Sequence, residues 1–154
     1  MHSTIKKRST IVLSILLLFS VLPLSRQASA AESVESTSVV IEDLGNGYTV
    51  ETTTTVYADQ VRVSKKSANA KSVYKHDGKE IATVILYATF SYDGTTSSVE
   101  STSYSKTTAF GWVYRNHNIA TSGGRATLTA TLSSLIGSVA VNVSLYCSPT
   151  GNIS

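Results

Sequence analysis

Cys147 is the only thiol of the chain, and His76 and His117 are the only imidazoles after His2. A thiolate beside an imidazole is an activated nucleophile, so Cys147 with His117 would give the chemistry of a cysteine transpeptidase. Such an enzyme also needs a cation to hold the developing oxyanion, and the seven residues after Cys147 contain no Arg. A single Cys at a strand end reads instead as a small apolar filler. His76-Asp77 has the composition of a base and its orienting carboxylate. Neighbouring side chains in a tight Asp-Gly turn are expected to diverge into solvent, however, and no nucleophile stands out among the many hydroxyls. Two distant His, one Cys and acids scattered singly, apart from Glu42-Asp43, give no zinc or calcium spacing. The reading is of a non-enzyme that takes no metal and no cofactor. Asn142-Val143-Ser144 and Asn152-Ile153-Ser154 have the form of glycosylation sequons, and beside a bacterial-type leader they read as chance matches.

The most suggestive constellation is Phe110-Gly111-Trp112-Val113-Tyr114. On a strand, alternation projects Phe110, Trp112 and Tyr114 from one sheet face about 6.6 to 6.8 Å apart. A flat aromatic row can stack on sugar rings as a ligand platform, or it can form the core of a sandwich, since Phe and Trp dominate buried faces. The core reading is favoured. Val113, on the opposite parity, is too small to decide which face is inside.

The elements that must position these residues are strands. From residue 31 onward the chain holds 19 Ser, 18 Thr and eight Tyr but only six Leu and no Met, a composition that suits a pleated surface and not a helix. Asn46-Gly47, Asp77-Gly78, Asp93-Gly94 and Gly123-Gly124 supply the positive φ values of tight hairpins. They imply strands at roughly 38–44, 48–57, 70–76, 80–91, 96–106, 110–120, 125–133 and 139–146, with a short extra one near Val61 and Val63. Ala126, Leu128, Ala130 and Leu132 alternate with threonines, and Val139, Val141, Val143 and Leu145 repeat the pattern after a turn at 134–138, so both segments read as half-buried strands. Residues 81–90 are apolar on both parities, with Val84, Leu86 and Phe90 opposing Ile81, Ile85 and Tyr87, which predicts a central strand covered on two sides. About eight antiparallel strands without a helix make an all-β sandwich or a partly closed barrel.

Asp43-Leu44-Gly45-Asn46-Gly47-Tyr48-Thr49-Val50-Glu51-Thr52-Thr53 is similar to the opening hairpin of a group of uncharacterised small exported proteins of Gram-positive bacteria. Tyr74-Lys75-His76-Asp77-Gly78-Lys79, Ala88-Thr89-Phe90-Ser91-Tyr92-Asp93-Gly94-Thr95-Thr96 and the ending from Val143 through Cys147 and Gly151 to Ser154 agree with it, as does the aromatic strand around Trp112. The resemblance implies an exported β-sandwich and supplies no activity or ligand. In that group a second Cys follows the Phe-x-Tyr-x-Gly turn, suggesting a strand-to-strand bridge. This sequence has Val99 there, which leaves Cys147 without that partner.

The leader fixes the compartment expected. Lys6, Lys7 and Arg8 precede an apolar run over 11–22, Pro23 breaks it, and Ala28-Ser29-Ala30 fits a signal peptidase, so 1–30 reads as a signal peptide with the mature chain starting at Ala31 or Glu32. The run is shorter than the ~20 residues that span a bilayer, so no stable membrane anchor is expected after cleavage. Residues 31–37 are expected to be flexible and 38–154 to form a single domain. Without the leader, 9 basic residues face 10 acidic ones, and the net charge of about −1 gives no basic face for nucleic acid. The function expected is that of a secreted, non-catalytic protein binding a glycan or protein partner at or outside the cell surface. The alternative is a membrane-active, pore-forming protein, because the segments 126–133 and 139–145 resemble hairpins that pair into a transmembrane barrel.

Overall fold

The computed structural model describes residues 33–58 and 64–154. The leader, its cleavage point and the strand expected near Val61 and Val63 lie outside the described residues. The rest is all-β, without a helix among the described residues: β1 (Val34–Gly45), β2 (Tyr48–Tyr57), β3 (Lys65–His76), β4 (Lys79–Tyr92), β5 (Ser97–Thr108), β6 (Val113–Ser122), β7 (Arg125–Ser134) and β8 (Gly137–Tyr146). Two antiparallel meanders result, a five-stranded sheet in the order β1-β2-β3-β4-β5 and a three-stranded sheet in the order β6-β7-β8. They pack face to face as a sandwich and do not close into a barrel.

The core lies between the sheets and follows from alternation. Ala68, Ala70, Ser72 and Tyr74 of β3 and Ala82, Val84, Leu86, Ala88 and Phe90 of β4 point inward. They meet Ala126, Leu128, Ala130 and Leu132 of β7 and Val141, Val143 and Leu145 of β8. Two polar groups are accommodated within this layer. Ser72 shares a 2.8 Å hydrogen bond with Thr52, and the Tyr74 hydroxyl accepts one from the Asn142 amide at 3.2 Å. Burial pushes the Tyr74 phenol up to about 12.

Three sequence expectations need correction. First, β4 is covered on one side only. The second layer has three strands against five, all on one face, so Ile85 is half-buried and Tyr87 keeps 39% of its surface in solvent. Ile81 is nonetheless buried, because Tyr74 pairs with Ala82 and Lys75 with Glu80. The unpaired residue between them bulges, and Ile81 turns inward beside Ala82. Second, the first strand begins at Val34 and not at 38, held by pairing with β2. Every residue of β1 is exposed, so its backbone ladder places it and not side-chain burial. Third, β6 begins at Val113 and not at 110, since 109–112 is a turn closed by the Trp112 amide donating to the Ala109 carbonyl at 3.1 Å. Gly111, with φ +85°, takes the position of that turn that needs a positive φ.

Candidate functional site

The turn separates the three aromatics that alternation would align. Phe110 sits at its corner and is fully exposed, whereas Trp112 and Tyr114 are half-buried and pack against the core. Trp112 meets Tyr48 edge-on with ring centroids 6.2 Å apart, and Tyr114 stacks on Tyr104 at 6.1 Å and on His117 at 5.9 Å. Desolvation, with a smaller contribution from Tyr104, raises the Tyr114 phenol to about 12, and Lys106 lies 5.2 Å over its ring. Phe110, Trp112 and Tyr114 therefore do not form one row.

Cys147 and His117 are held apart. Gly124 bonds Cys147 at one end of the small sheet, while His117 lies at a bulge beside Asn118, whose partner on β7 is Thr129. Thr129 lies five residue steps along the strand from Gly124, about 16 Å. The thiol is buried and donates to the Ser148 carbonyl at 3.4 Å. His76 and Asp77, expected to diverge, face each other at 3.6 Å, because Asp77 adopts φ +49° and its amide bonds the Gly47 carbonyl at 2.9 Å. Tyr48 packs on the His76 ring with centroids 4.4 Å apart. This cluster ties the β1–β2 turn to the β3–β4 turn.

The outer face of the large sheet brings together residues that strand-by-strand reading leaves scattered. Register sets Asn69 of β3 opposite Thr55 of β2 and Tyr87 of β4, and Tyr87 opposite Ser103 of β5. The next outward row runs Ser67, Thr89, Ser101, with the first two hydroxyls 3.1 Å apart. Tyr57, from the end of β2, accepts a 2.7 Å hydrogen bond from the Asn69 side-chain amide. Tyr57 and Tyr87 thus share an open groove of about 430 Å³ with Ser67, Thr89, Ser101 and Ser103. Among the described residues no charged side chain lines it, and the Lys65–Glu100 ion pair, at 3.0 Å, stands one row beyond.

These residues point outward because the alternate positions, Ala68, Ala70, Leu86 and Ala88, are claimed by the core. The signal was present as polar alternation in β3 and β5. Tyr87 was masked by reading it as part of a second buried face, and the pairing register that joins four strands has no local code. Comparison with known protein families, with curated proteins and with solved structures gives no match for the chain.

Proposed function

We propose that this is an exported, non-catalytic binding protein whose ligand is a neutral glycan at or outside the cell surface, held on the outer face of the large sheet. The observation that carries this reading is the groove between Tyr57 and Tyr87. A sugar ring has an apolar C–H face and a rim of hydroxyls. The tyrosine rings offer a surface for the first, and Ser67, Thr89, Ser101 and Ser103 offer donors and acceptors for the second. The uncharged lining that the described residues give it suits a neutral ligand better than a phosphate or carboxylate, which would call for lysine or arginine. The rigid ladder beneath keeps the platform preformed, so little ordering entropy opposes binding. Phe110, Trp112 and Tyr114 give way to this groove as the platform because their rings do not share a face.

Glycan-array and cell-wall polysaccharide binding by the chain from Ala31 tests the reading. Tyr87→Ala should lose about tenfold or more in affinity, roughly 1.4 kcal/mol, with an unchanged unfolding midpoint. Phe110→Ala should bind as the parent does. No glycan bound by the parent, or full binding by Tyr87→Ala, would refute it.

A further inference from the structure

Four hairpin or inter-sheet turns, at 46–47, 77–78, 109–112 and 135–136, gather at one end of the sandwich. Two of them carry large apolar side chains into solvent. Phe110 is 107% exposed, Leu135 106% and Ile136 68%, and the three share a shallow groove with Trp112 and Ser134. Turn geometry does not ask for them. Phe110 occupies a turn position open to most residues, and a two-residue hairpin such as Leu135-Ile136 ordinarily takes Asn, Asp or Gly. Exposed apolar side chains so placed oppose solubility and add nothing to the fold, so their placement calls for a partner.

Charge identifies that partner. Residues 101–154 contain no Asp or Glu, and the cations among them are Lys106, Arg115 and Arg125. Arg115 shares a groove with Leu135, Val113 and Gly111, and Lys106 lies over Tyr114 two residues before the end of β5. The carboxylates at this end, Glu42, Asp43, Glu51, Asp77 and Glu80, belong to the first four strands and their turns, where Lys75 and Lys79 accompany them, so the side formed by β5 to β7 is the cationic one. Behind the apolar tips stands a collar of Thr107, Thr108, Ser133 and Ser134, with Trp112 half-buried at its base. Apolar tips, then hydroxyls and an amphipathic ring, then cations is the order of polarity met on leaving a bilayer with anionic headgroups.

We infer that this end of the protein docks peripherally on an anionic lipid bilayer, with Phe110, Leu135 and Ile136 entering the interface and Lys106 and Arg115 at headgroup depth. The site is separate from the glycan groove and does not rest on that reading. Trp112 is the chain's only tryptophan, so its emission reports the contact without a label.

The test uses the chain from Ala31, which contains every residue of the core, with phosphatidylcholine vesicles made with and without phosphatidylglycerol. The chain should sediment with the anionic vesicles, release as salt rises, and show Trp112 quenched by brominated acyl chains. The triple variant Phe110→Ser, Leu135→Ser, Ile136→Ser should lose about tenfold or more in partitioning. Phe110→Ser alone should lose less. Both should keep the parent's circular dichroism, since the three side chains lie outside the core. Lys106→Gln with Arg115→Gln should remove the preference for anionic vesicles, and Tyr87→Ala should bind vesicles as the parent does. Absence of vesicle binding, undiminished binding by the folded triple variant, equal binding to neutral vesicles, or release of entrapped dye, which would signify insertion, would each overturn the proposal.

Discussion

The two ends of the sandwich are built on opposite terms. At the end formed by 93–96, 123–124 and 147–154, polar and glycine residues knit the sheets and the C-terminus together. The Val99 amide bonds Gly123, the Cys147 amide bonds Gly124, the Gly94 amide bonds Pro149, and Ser154 exchanges both backbone bonds with Tyr146. Ser97 adds a hydroxyl bond of 2.6 Å to the Cys147 carbonyl, and Gly151 lies against the Tyr92 ring. At the other end the turns at 109–112 and 135–136 hold Phe110, Leu135 and Ile136 away from every core residue. One end is closed by contacts within the chain, and the other presents side chains that none of the described residues covers. The packing contacts and the exposed apolar side chains thus lie at different ends of the same strands, which leaves the tip free to vary in chemistry at little cost to the fold.

The sharpest way to break this contrast is at Gly151, where φ is +82° and an added Cβ would come within 2.5 to 2.9 Å of the Tyr92 ring. Overpacking and left-handed strain together should make Gly151→Ala cost about 2 to 4 kcal/mol. Denaturant unfolding of the variant checks it, and a parent-like midpoint would show that the closed end is loosely packed after all. Cys147→Ser comes next. The thiol is buried, but a hydroxyl can make the same bond to the Ser148 carbonyl, so the loss should be about 1 kcal/mol, with binding retained.

Asp93 sharpens the contrast through pH. Its carboxylate accepts from the Thr96 and Thr95 amides and the Thr96 hydroxyl, which hold it below the usual aspartate range. A depressed carboxyl stabilises the fold above its unfolded-state value and ceases to do so as pH falls through its folded value. The parent should therefore exceed Asp93→Asn in stability at neutral pH and lose that advantage below about pH 4. Melting curves across the acid range decide this, and a difference that persists at pH 2 would assign it to packing. The smallest effect belongs to the open end. Phe110→Ser and Leu135→Ser should shift the unfolding free energy by no more than about 0.5 kcal/mol, and a loss of several times that would mean the tip is structural.

Much of the fold was written locally. The Asn46-Gly47, Asp77-Gly78 and Gly123-Gly124 pairs each close a hairpin where positive φ was expected, as it is at Asn46, Gly47, Asp77, Gly78 and Gly123. Period-two alternation placed the inward faces of β7 and β8 correctly, because one face of each meets the core and the other meets solvent. The β3 strand starts at Lys65, five residues before the 70–76 expected, because β4 pairs with it back to Lys65 and β2 back to Ala68, recruiting a polar segment that has no apolar pattern of its own.

What only the tertiary structure decided is which residues become neighbours. Turn chemistry and alternation act over two to four residues, so they fix where strands bend and which side chains share a face. They do not say that Tyr57, Asn69 and Tyr87 lie side by side, since that depends on the registers of β2, β3 and β4 together. Nor do they say that the second layer covers only one side of β4, which depends on the chain breaking into sheets of five and three strands. Phe110 shows the same limit at a single residue. Its parity with Trp112 and Tyr114 is a property of the sequence, but the sheet ends before it, and a residue in a turn takes its direction from the turn.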